Sequence, residues 1–224
     1  MAVARRRVVA DVKSYKPSTN SIGSGQVLHH PYPFDKAKLI VREMTDLLAL
    51  DLVDKGLATN QVVLTVGYDI ENLKDPVLRK NYRGIITTDH YGRDIPKHAQ
   101  GTENLKRHTS SAKLITEAML ALFDRIVDKN LLVRRVNVTA NHVIDEASVP
   151  KDAAFEQLDL FTDYDAIQSL QKAEADYLER ERNRQKAIIA IKKRYGGNAI
   201  LKGMNFEEGA TSKDRNKQIG GHRK

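Results

Sequence analysis

Two helical stripes of apolar residues, set between strand-like segments, constrain the fold of this chain more than any other feature. In the first stripe, apolar side chains recur at helical spacing: Ile40, Val41, Met44, Leu47, Leu48 and Leu52. The second stripe has the same period: Ile115, Ala118, Met119, Leu122, Phe123 and Ile126. Because each stripe occupies one side of its helix, each helix can cover only one surface.

Strand-like segments lie before and after both helices. Residues 62–69 and 132–143 alternate apolar and polar side chains with the period of two that is typical of a strand with one buried face. Residues 22–29 and 94–106 are further extended candidates, although Gly23 and Gly25 weaken the first. We interpret residues 69–93 mostly as a long connection with a short strand near 84–88.

The resulting order, β-α-β-β-α-β, predicts an α+β fold with a four-stranded antiparallel sheet and both helices on one face. The opposite face should be uncovered and should carry small, polar or basic residues. We divide the chain into a leader and linker (1–20), the folded domain (21–146), a loop (147–165) and a C-terminal part (166–224). That last part contains a charged helix and then a basic tail that we expect to be flexible.

Composition limits the partners. The 224 residues carry a formal charge of +8 and a pI of about 9.5, which favours an acidic partner, nucleic acid first and an anionic membrane surface second. There are no cysteines, so disulfides and thiolate metal sites are excluded and a cytoplasmic location is expected. No apolar run approaches the roughly 20 residues of a membrane span.

The sequence contains no recognisable catalytic motif. Gly196-Gly197 is not followed by the Lys and Ser/Thr of a phosphate-binding loop, and the seven histidines do not show metal-ligand spacing. Asp163 and Asp165 resemble a carboxylate pair, but they precede a helix and are better suited to capping it. We therefore predict no catalytic residue, no metal site and no cofactor in this chain.

Basic residues lie on or beside two strands of the predicted uncovered face: Lys97, Lys106, Arg107, Arg134 and Arg135. Long cations there could contact phosphates and give salt-dependent affinity, although the same residues could simply make the surface soluble. The strands lack the aromatic pattern that stacks single-stranded RNA bases, so contact with a duplex backbone is favoured.

An apolar cluster interrupts the polar loop at Gln157-Leu158-Asp159-Leu160-Phe161. Nothing near it in sequence offers a helical or strand period that could bury three large side chains. An exposed cluster of this kind is typical of a docking site, although it could also fold back as a satellite core.

Several motifs resemble the little-finger domain of Y-family translesion DNA polymerases, in particular the UmuC-like and DNA polymerase IV-like branch of Gram-positive bacteria. The similar segments cover nearly everything after about Asp11: residues 20–28, 89–93, 96–99, 132–135, 193–203 and 218–222. The β-α-β-β-α-β order is similar too. The resemblance implies that this chain is part of an enzyme that acts in DNA repair and in the SOS response.

The resemblance implies that the uncovered sheet face grips primer–template DNA and that the protein is associated with the nucleoid. The residues expected to contact DNA are Ser24, Gln26, Lys97, His98, Gln100, Thr102, Asn104, Lys106, Arg107, Arg134 and Arg135. A catalytic palm, which in the parent polymerase would use Mg²⁺, would precede Asp11. The chain alone is therefore expected not to be an enzyme.

The pentapeptide resembles the consensus by which bacterial polymerases bind the sliding clamp. The resemblance implies that the clamp contacts are Gln157, Leu158, Asp159, Leu160 and Phe161. The amide of Gln157 could hydrogen-bond at a pocket edge while Leu160 and Phe161 fill an apolar cleft.

The alternative function for the whole chain is a self-contained ferredoxin-like protein that binds RNA or the ribosome.

Overall fold

The computed structural model describes residues 20–74, 76–149, 164–219 and 222–223. Its principal strands are β1 (Ile22–Tyr32), β2 (Leu57–Tyr68), β3 (Ile86–Thr88), β4 (Asp94–Pro96), β5 (Ala99–Thr109), β6 (Val133–Asn141) and β7 (Ile144–Asp145), and a last short pair is β8 (Gln218–Ile219) and β9 (His222–Arg223). The helices are α1 (Phe34–Asp54), α2 (Pro76–Asn81), α3 (Ala112–Ile126), α4 (Tyr164–Tyr195) and α5 (Ser212–Arg215).

The main sheet is antiparallel, with the strand order β1-β6-β2-β5, and the short β7 pairs with the start of β2. Helices α1 and α3 pack against each other and against the sheet. The predicted α+β fold, with its antiparallel sheet and a long C-terminal helix, is confirmed. Strands β6 and β2 lie in the centre, so their side chains define most of each face.

The core lies between the helices and the sheet. The alternation predicted for β2 and β6 is confirmed, because the apolar parity of both strands is buried: Val62, Leu64, Val66, Val136, Val138 and Ala140. The helices contribute Ile40, Met44, Ile115, Met119 and Phe123 to the same cluster. Each such side chain stabilises the fold by about 1.5–3 kcal/mol when fully buried.

The connection after β2 has more structure than the sequence predicts. A 3₁₀ turn over Ile70–Leu73 leads to α2 and then to the β3–β4 hairpin. The turn is fastened to the start of β6, since Asn72 accepts a 2.8 Å hydrogen bond from the Leu132 amide and donates one of 2.9 Å to its carbonyl. The extended segment predicted over 94–106 is divided into β4 and β5, with Lys97 and His98 between them.

Helix α4 lies against the N-terminal end of α3. Glu181 is only 5% exposed, and its carboxylate accepts hydrogen bonds from Ser111 Oγ (2.5 Å) and from the Lys113 amide (3.0 Å). Negative charge at a helix N-terminus is favourable because the amides there lack intrahelical partners. Gln185 adds a 3.2 Å hydrogen bond to the Ser110 carbonyl. This buried carboxylate is one of several contacts that hold the charged helix on the domain, since α4 also packs against α1 and Arg182 of α4 pairs with Glu146.

Part of the basic tail, between residues 202 and 212, contacts α1. Glu43 of α1 is 1% exposed and accepts hydrogen bonds from Asn205 Nδ2 (2.7 Å), the Thr211 amide (2.8 Å) and the Ser212 amide (3.2 Å). Lys202 pairs with Asp46 of the same helix. A tail that is poor in apolar residues can thus be held by hydrogen bonds to a charged residue within the helix.

Candidate nucleic-acid interface

The side of the sheet away from α1 and α3 is a set of cross-strand rows. One row joins Asn104, Gln61 and Asn141; the next joins Thr102, Val63, Thr139 and Gly23. A third row joins Gln100, Thr65, Asn137 and Gly25, and Val27, Arg135 and Gly67 form the fourth. We call these residues the open face. Most of its side chains are amides, hydroxyls or glycines.

Two hydrogen bonds join the amides of the first row into a ladder. Gln61 Nε2 donates to Asn104 Oδ1 at 2.8 Å, and Asn141 Nδ2 donates to Gln61 Oε1 at 3.2 Å. Because each amide has two donor hydrogens and two acceptor lone pairs, the ladder leaves groups free to meet a ligand. These groups are held in defined orientations on two central strands and one edge strand.

Glycines make the β1 side of the open face flat. A Cβ atom at Gly25 would lie 2.3 Å from Asn137 Oδ1, and one at Gly23 would lie 2.7 Å from Thr139 Oγ1. The side chains of Asn137 and Thr139 therefore lie over the glycine backbone, which any other residue would prevent. A flat polar surface of this kind can approach an extended partner closely.

The open face is less basic than the sequence predicts. Arg135 is the one Lys or Arg in its four described rows, and Lys106 is exposed further along β5. Arg107 instead forms an ion pair of 2.7 Å with Glu174 of α4. Arg134 occupies a bulge, where it donates to the His29 carbonyl at 3.0 Å and lies 3.6 Å from Asp69.

Two further predicted contacts lie on the helix-covered side. Ser24 pairs with Val138 and Gln26 pairs with Val136, and both valines point into the core. Gln26 Nε2 donates to Thr211 Oγ1 of the tail at 3.0 Å. Their contact with DNA stays a prediction, but the structure places both residues on the other side of the sheet from the open face. The glycines around Ser24 hide the parity of β1, and only its register with β6 assigns the faces.

The other predicted contacts are brought together on or near the open face. Gln100, Thr102 and Asn104 occupy three of its rows, while Lys97 and His98 are exposed where the hairpin enters β5. The prediction omitted the central-strand residues Gln61, Thr65, Asn137, Thr139 and Asn141. In β2 and β6 these residues occupy the polar positions of the alternating pattern, and that alternation is the signal that could have identified them.

Within the described ranges, no three His, Asp or Glu side chains are grouped so that they could hold a metal ion. None of the helices in the described part of the chain is long and apolar enough to cross a membrane. The pentapeptide from Gln157 to Phe161 lies outside the described residues, so its predicted clamp contacts are not tested by this structure.

Comparison with known proteins gives a family model and weak likenesses to solved structures, of which two are described. The model of the impB/mucB/samB family C-terminal domain matches residues 19–160. An insertion ternary complex of Dbh DNA polymerase aligns with a TM-score of 0.35 and 11% identity, over 56% of this chain and 29% of that chain. A complex of the beta-clamp processivity factor and the little finger domain of PolIV aligns with a TM-score of 0.34 and 12% identity, over 64% and 100%. No curated protein sequence matches this chain.

Proposed function

This chain belongs to the impB/mucB/samB family of C-terminal domains, the little-finger domains of Y-family DNA polymerases, and we propose that it grips primer–template DNA during lesion bypass. The observation that carries the proposal is the open face, a flat polar surface that neither α1 nor α3 covers. Its Asn, Gln and Thr side chains are of the types that hydrogen-bond phosphate oxygens and base edges in protein–DNA complexes. We refine the predicted contacts to this face.

The composition of the open face determines how the grip works. Long cations would release many counterions, whereas amides and hydroxyls bind phosphates without neutralising them. Arg135 contributes the charge-assisted contact within the rows. Affinity for duplex DNA should therefore depend on salt less steeply than the net charge of +8 suggests. The open face has no aromatic side chain among its described strand residues, which favours contact with a duplex over base stacking.

A matched pair of charge substitutions tests the grip. Gln100→Glu places a carboxylate on the open face, and Gln171→Glu places the same group on the exposed surface of α4. A repulsion of about 1–2 kcal/mol between the new charge and a phosphate would weaken binding to a primer–template duplex roughly five- to thirtyfold in the first variant only. Fluorescence anisotropy with a labelled duplex measures both. Equal affinities of the two variants would contradict the proposal.

The alternative function, an RNA-binding or ribosome-associated protein, predicts the opposite ligand preference. In a competition assay, the labelled primer–template duplex is displaced by unlabelled single-stranded RNA or by unlabelled recessed DNA. Our proposal requires that recessed DNA competes better. A clear preference for RNA would favour the alternative.

We also propose that Gln157 to Phe161 tethers the chain to a bacterial sliding clamp. The support comes from the sequence alone: a Gln, two Leu and a Phe stand together within residues 157–161. Each apolar anchor that a clamp pocket buries could contribute about 1.5–3 kcal/mol before the cost of ordering the segment.

Alanine substitution separates the tether from the grip. The triple variant Gln157→Ala, Leu160→Ala and Phe161→Ala should lose measurable binding to purified clamp in surface plasmon resonance. Its affinity for duplex DNA should equal that of the unmodified chain, which is the internal control. Unchanged clamp affinity in the triple variant would refute the tether.

The parent protein is, in this proposal, a DNA-directed polymerase that transfers nucleotides with Mg²⁺ held in a separate palm domain. The support is the family, whose model matches residues 19–160. The chain spans 29% of the length of the Dbh polymerase chain that it resembles. The reading frame upstream of Met1 tests this part, because it should encode a palm with metal-binding carboxylates.

A further inference from the structure

Hydrogen bonds to the Asp89 carboxylate hold the turn between β3 and β4, and none of them involves the side chain of Tyr91. Asp89 Oδ1 accepts hydrogen bonds from the amides of Tyr91 and Arg93, both at 2.9 Å, and Asp89 Oδ2 accepts one from Arg93 Nε at 2.8 Å. Gly92 closes the turn with a φ of 76°, which favours glycine. The tip of the hairpin is therefore organised by a carboxylate and a backbone turn.

Tyr91 projects from this tip and is 77% exposed. The guanidinium of Arg93 lies 4.9 Å from the centre of the ring, and the His90 ring lies 5.4 Å from it. Nearby, Ile85 and Ile86 of the same hairpin are also exposed. A tyrosine that is mostly exposed adds little to the fold, so its exposed ring face is available to a ligand.

The charge of the hairpin and of the segment that leads into it suits a polyanion. Residues 74–98 contain six Lys or Arg and three Asp. Two of these acids are already paired, Asp89 with Arg93 and Asp94 with Arg79. Three exposed cations, Lys80, Arg83 and Lys97, have no acidic partner among the described residues.

The hairpin adjoins one end of the open face. Strand β4 packs against the 3₁₀ turn over Ile70–Leu73, and Asp69, which caps that turn, lies 3.6 Å from Arg134, the residue before Arg135 of the open face. From β4, the chain passes through Lys97 and His98 directly to Gln100 in β5. A nucleic-acid strand that leaves the open face at this end would meet the hairpin.

We propose that the β3–β4 hairpin holds the unpaired strand of a recessed DNA beside the duplex end, with Tyr91 stacked on a base. Lys80, Arg83 and Lys97 hold the phosphates of that strand. The inference rests on the proposed function in one respect, that the duplex lies on the open face. An exposed aromatic ring at the tip of a hairpin, with unpaired cations at its base and in the segment before it, can bind single-stranded nucleic acid without sequence preference, because bases stack on the ring and phosphates pair with the cations. A peptide partner would leave these cations without a counterpart.

The test compares Tyr91→Ala with a control at another exposed tyrosine. Tyr195 is 66% exposed and has the guanidinium of Arg194 at 5.1 Å, so Tyr195→Ala removes the same groups from the end of α4. Anisotropy is measured with a blunt duplex and with the same duplex carrying a single-stranded overhang. Tyr91→Ala should weaken binding to the overhang DNA about fivefold or more while leaving blunt-duplex affinity unchanged. Tyr91→Phe and Tyr195→Ala should bind both as the unmodified chain does.

A second readout reports stacking itself. The fluorescence of 2-aminopurine in the overhang should be quenched by the unmodified chain and by Tyr91→Phe, and not by Tyr91→Ala. If Tyr91→Ala binds and quenches the overhang like the unmodified chain, the hairpin proposal is wrong even when duplex binding is intact. If the unmodified chain does not bind the blunt duplex, the open-face proposal is wrong instead. The measurements with the overhang DNA then still test the role of Tyr91.

Discussion

Gln61 Nε2 donates a 2.8 Å hydrogen bond to Asn104 Oδ1, linking a central strand to an edge strand on the side of the sheet that the helices leave uncovered. The bond fixes the orientation of both amides, so the groups that remain free are presented in one geometry. Cross-strand pairs of this kind stabilise a sheet by only about 0.2–1 kcal/mol. Their main consequence is a preorganised polar surface.

Replacing Arg135 should change the salt dependence of DNA binding, because it is the arginine in the described rows of the open face. Arg135→Ala should reduce the slope of log K against log salt by about 1, as expected when one phosphate contact is lost. Arg107→Ala is the matched control, since Arg107 pairs with Glu174 on the side of α4. Anisotropy titrations at several salt concentrations measure both slopes. A larger change in this slope for Arg107→Ala would indicate that DNA contacts the side of the domain near Arg107 and not the open face.

Removing the Glu181 carboxylate should release α4 from α3. Glu181→Ala leaves the Lys113 amide and the Ser111 hydroxyl without their acceptor, which should cost about 1–3 kcal/mol of unfolding free energy. Glu179→Ala, an exposed neighbour on the same helix, should change the unfolding free energy by less than about 0.5 kcal/mol. Denaturant titration measures the unfolding free energies, and hydrogen exchange should show faster exchange in α4 for Glu181→Ala alone.

The sequence predicts the architecture because β2, β6, α1 and α3 each have a strong period. Val62, Leu64 and Val66 alternate without interruption, and the two helical stripes are complete, so local pattern and burial agree. The strand β1 lacks such a signal, since Gly23 and Gly25 have no side chain to reveal a face. Its register depends on β6, which is distant in sequence.

The candidate site was harder to predict for a related reason. An arginine in a strand predicts a cation near a surface, but its partner decides whether that cation is available. Arg107 is paired with Glu174, and Arg134 lies at a bulge beside Asp69. Both partners come from other elements that fold onto the strand ends. Likewise, the role of Glu43 depends on a tail that lies more than 150 residues later.

A methyl group at Gly101 should disturb the packing of α3 on the sheet. A Cβ atom there would lie 2.8 Å from Leu122 Cδ1 and 3.0 Å from Ile126 Cγ2, so the helix side chains would have to shift. Gly101→Ala should lower the unfolding free energy by about 1–3 kcal/mol. Gly203→Ala is the control, because a Cβ atom there meets nothing within 4 Å. Denaturant midpoints distinguish them, and equal midpoints would mean that the core absorbs the methyl group.

The hairpin turn should weaken in acid. The hydrogen bond from the Arg93 side chain, with those from backbone amides, holds the pKa of the Asp89 carboxyl below its ordinary value of 3.8. Since the folded pKa is the lower one, the stabilisation is complete above pH 3.8 and is lost as the pH falls through the folded value. A titration of the Asp89 carboxyl by NMR measures this pKa. Arg93→Ala should move the pKa back towards 3.8, and a pKa that stays low in that variant would remove Arg93 as the cause.

Glu43→Ala should detach the C-terminal tail and destabilise the domain. The carboxylate is almost fully buried in α1 and accepts from the Thr211 and Ser212 amides and from Asn205 Nδ2. Its removal leaves three donors without an acceptor in a site that water reaches poorly, which should cost about 2–4 kcal/mol of unfolding free energy.

Two comparisons distinguish a lost anchor from a general effect of losing a charge. Glu117→Ala removes an exposed carboxylate from α3 and should change the unfolding free energy by less than about 0.5 kcal/mol. Limited proteolysis should cut Glu43→Ala rapidly between residues 198 and 216, while Glu117→Ala resists like the unmodified chain. Because Gln26 also bonds to Thr211, a tail that stays protected in Glu43→Ala would mean that this bond and the Lys202–Asp46 pair suffice to hold it.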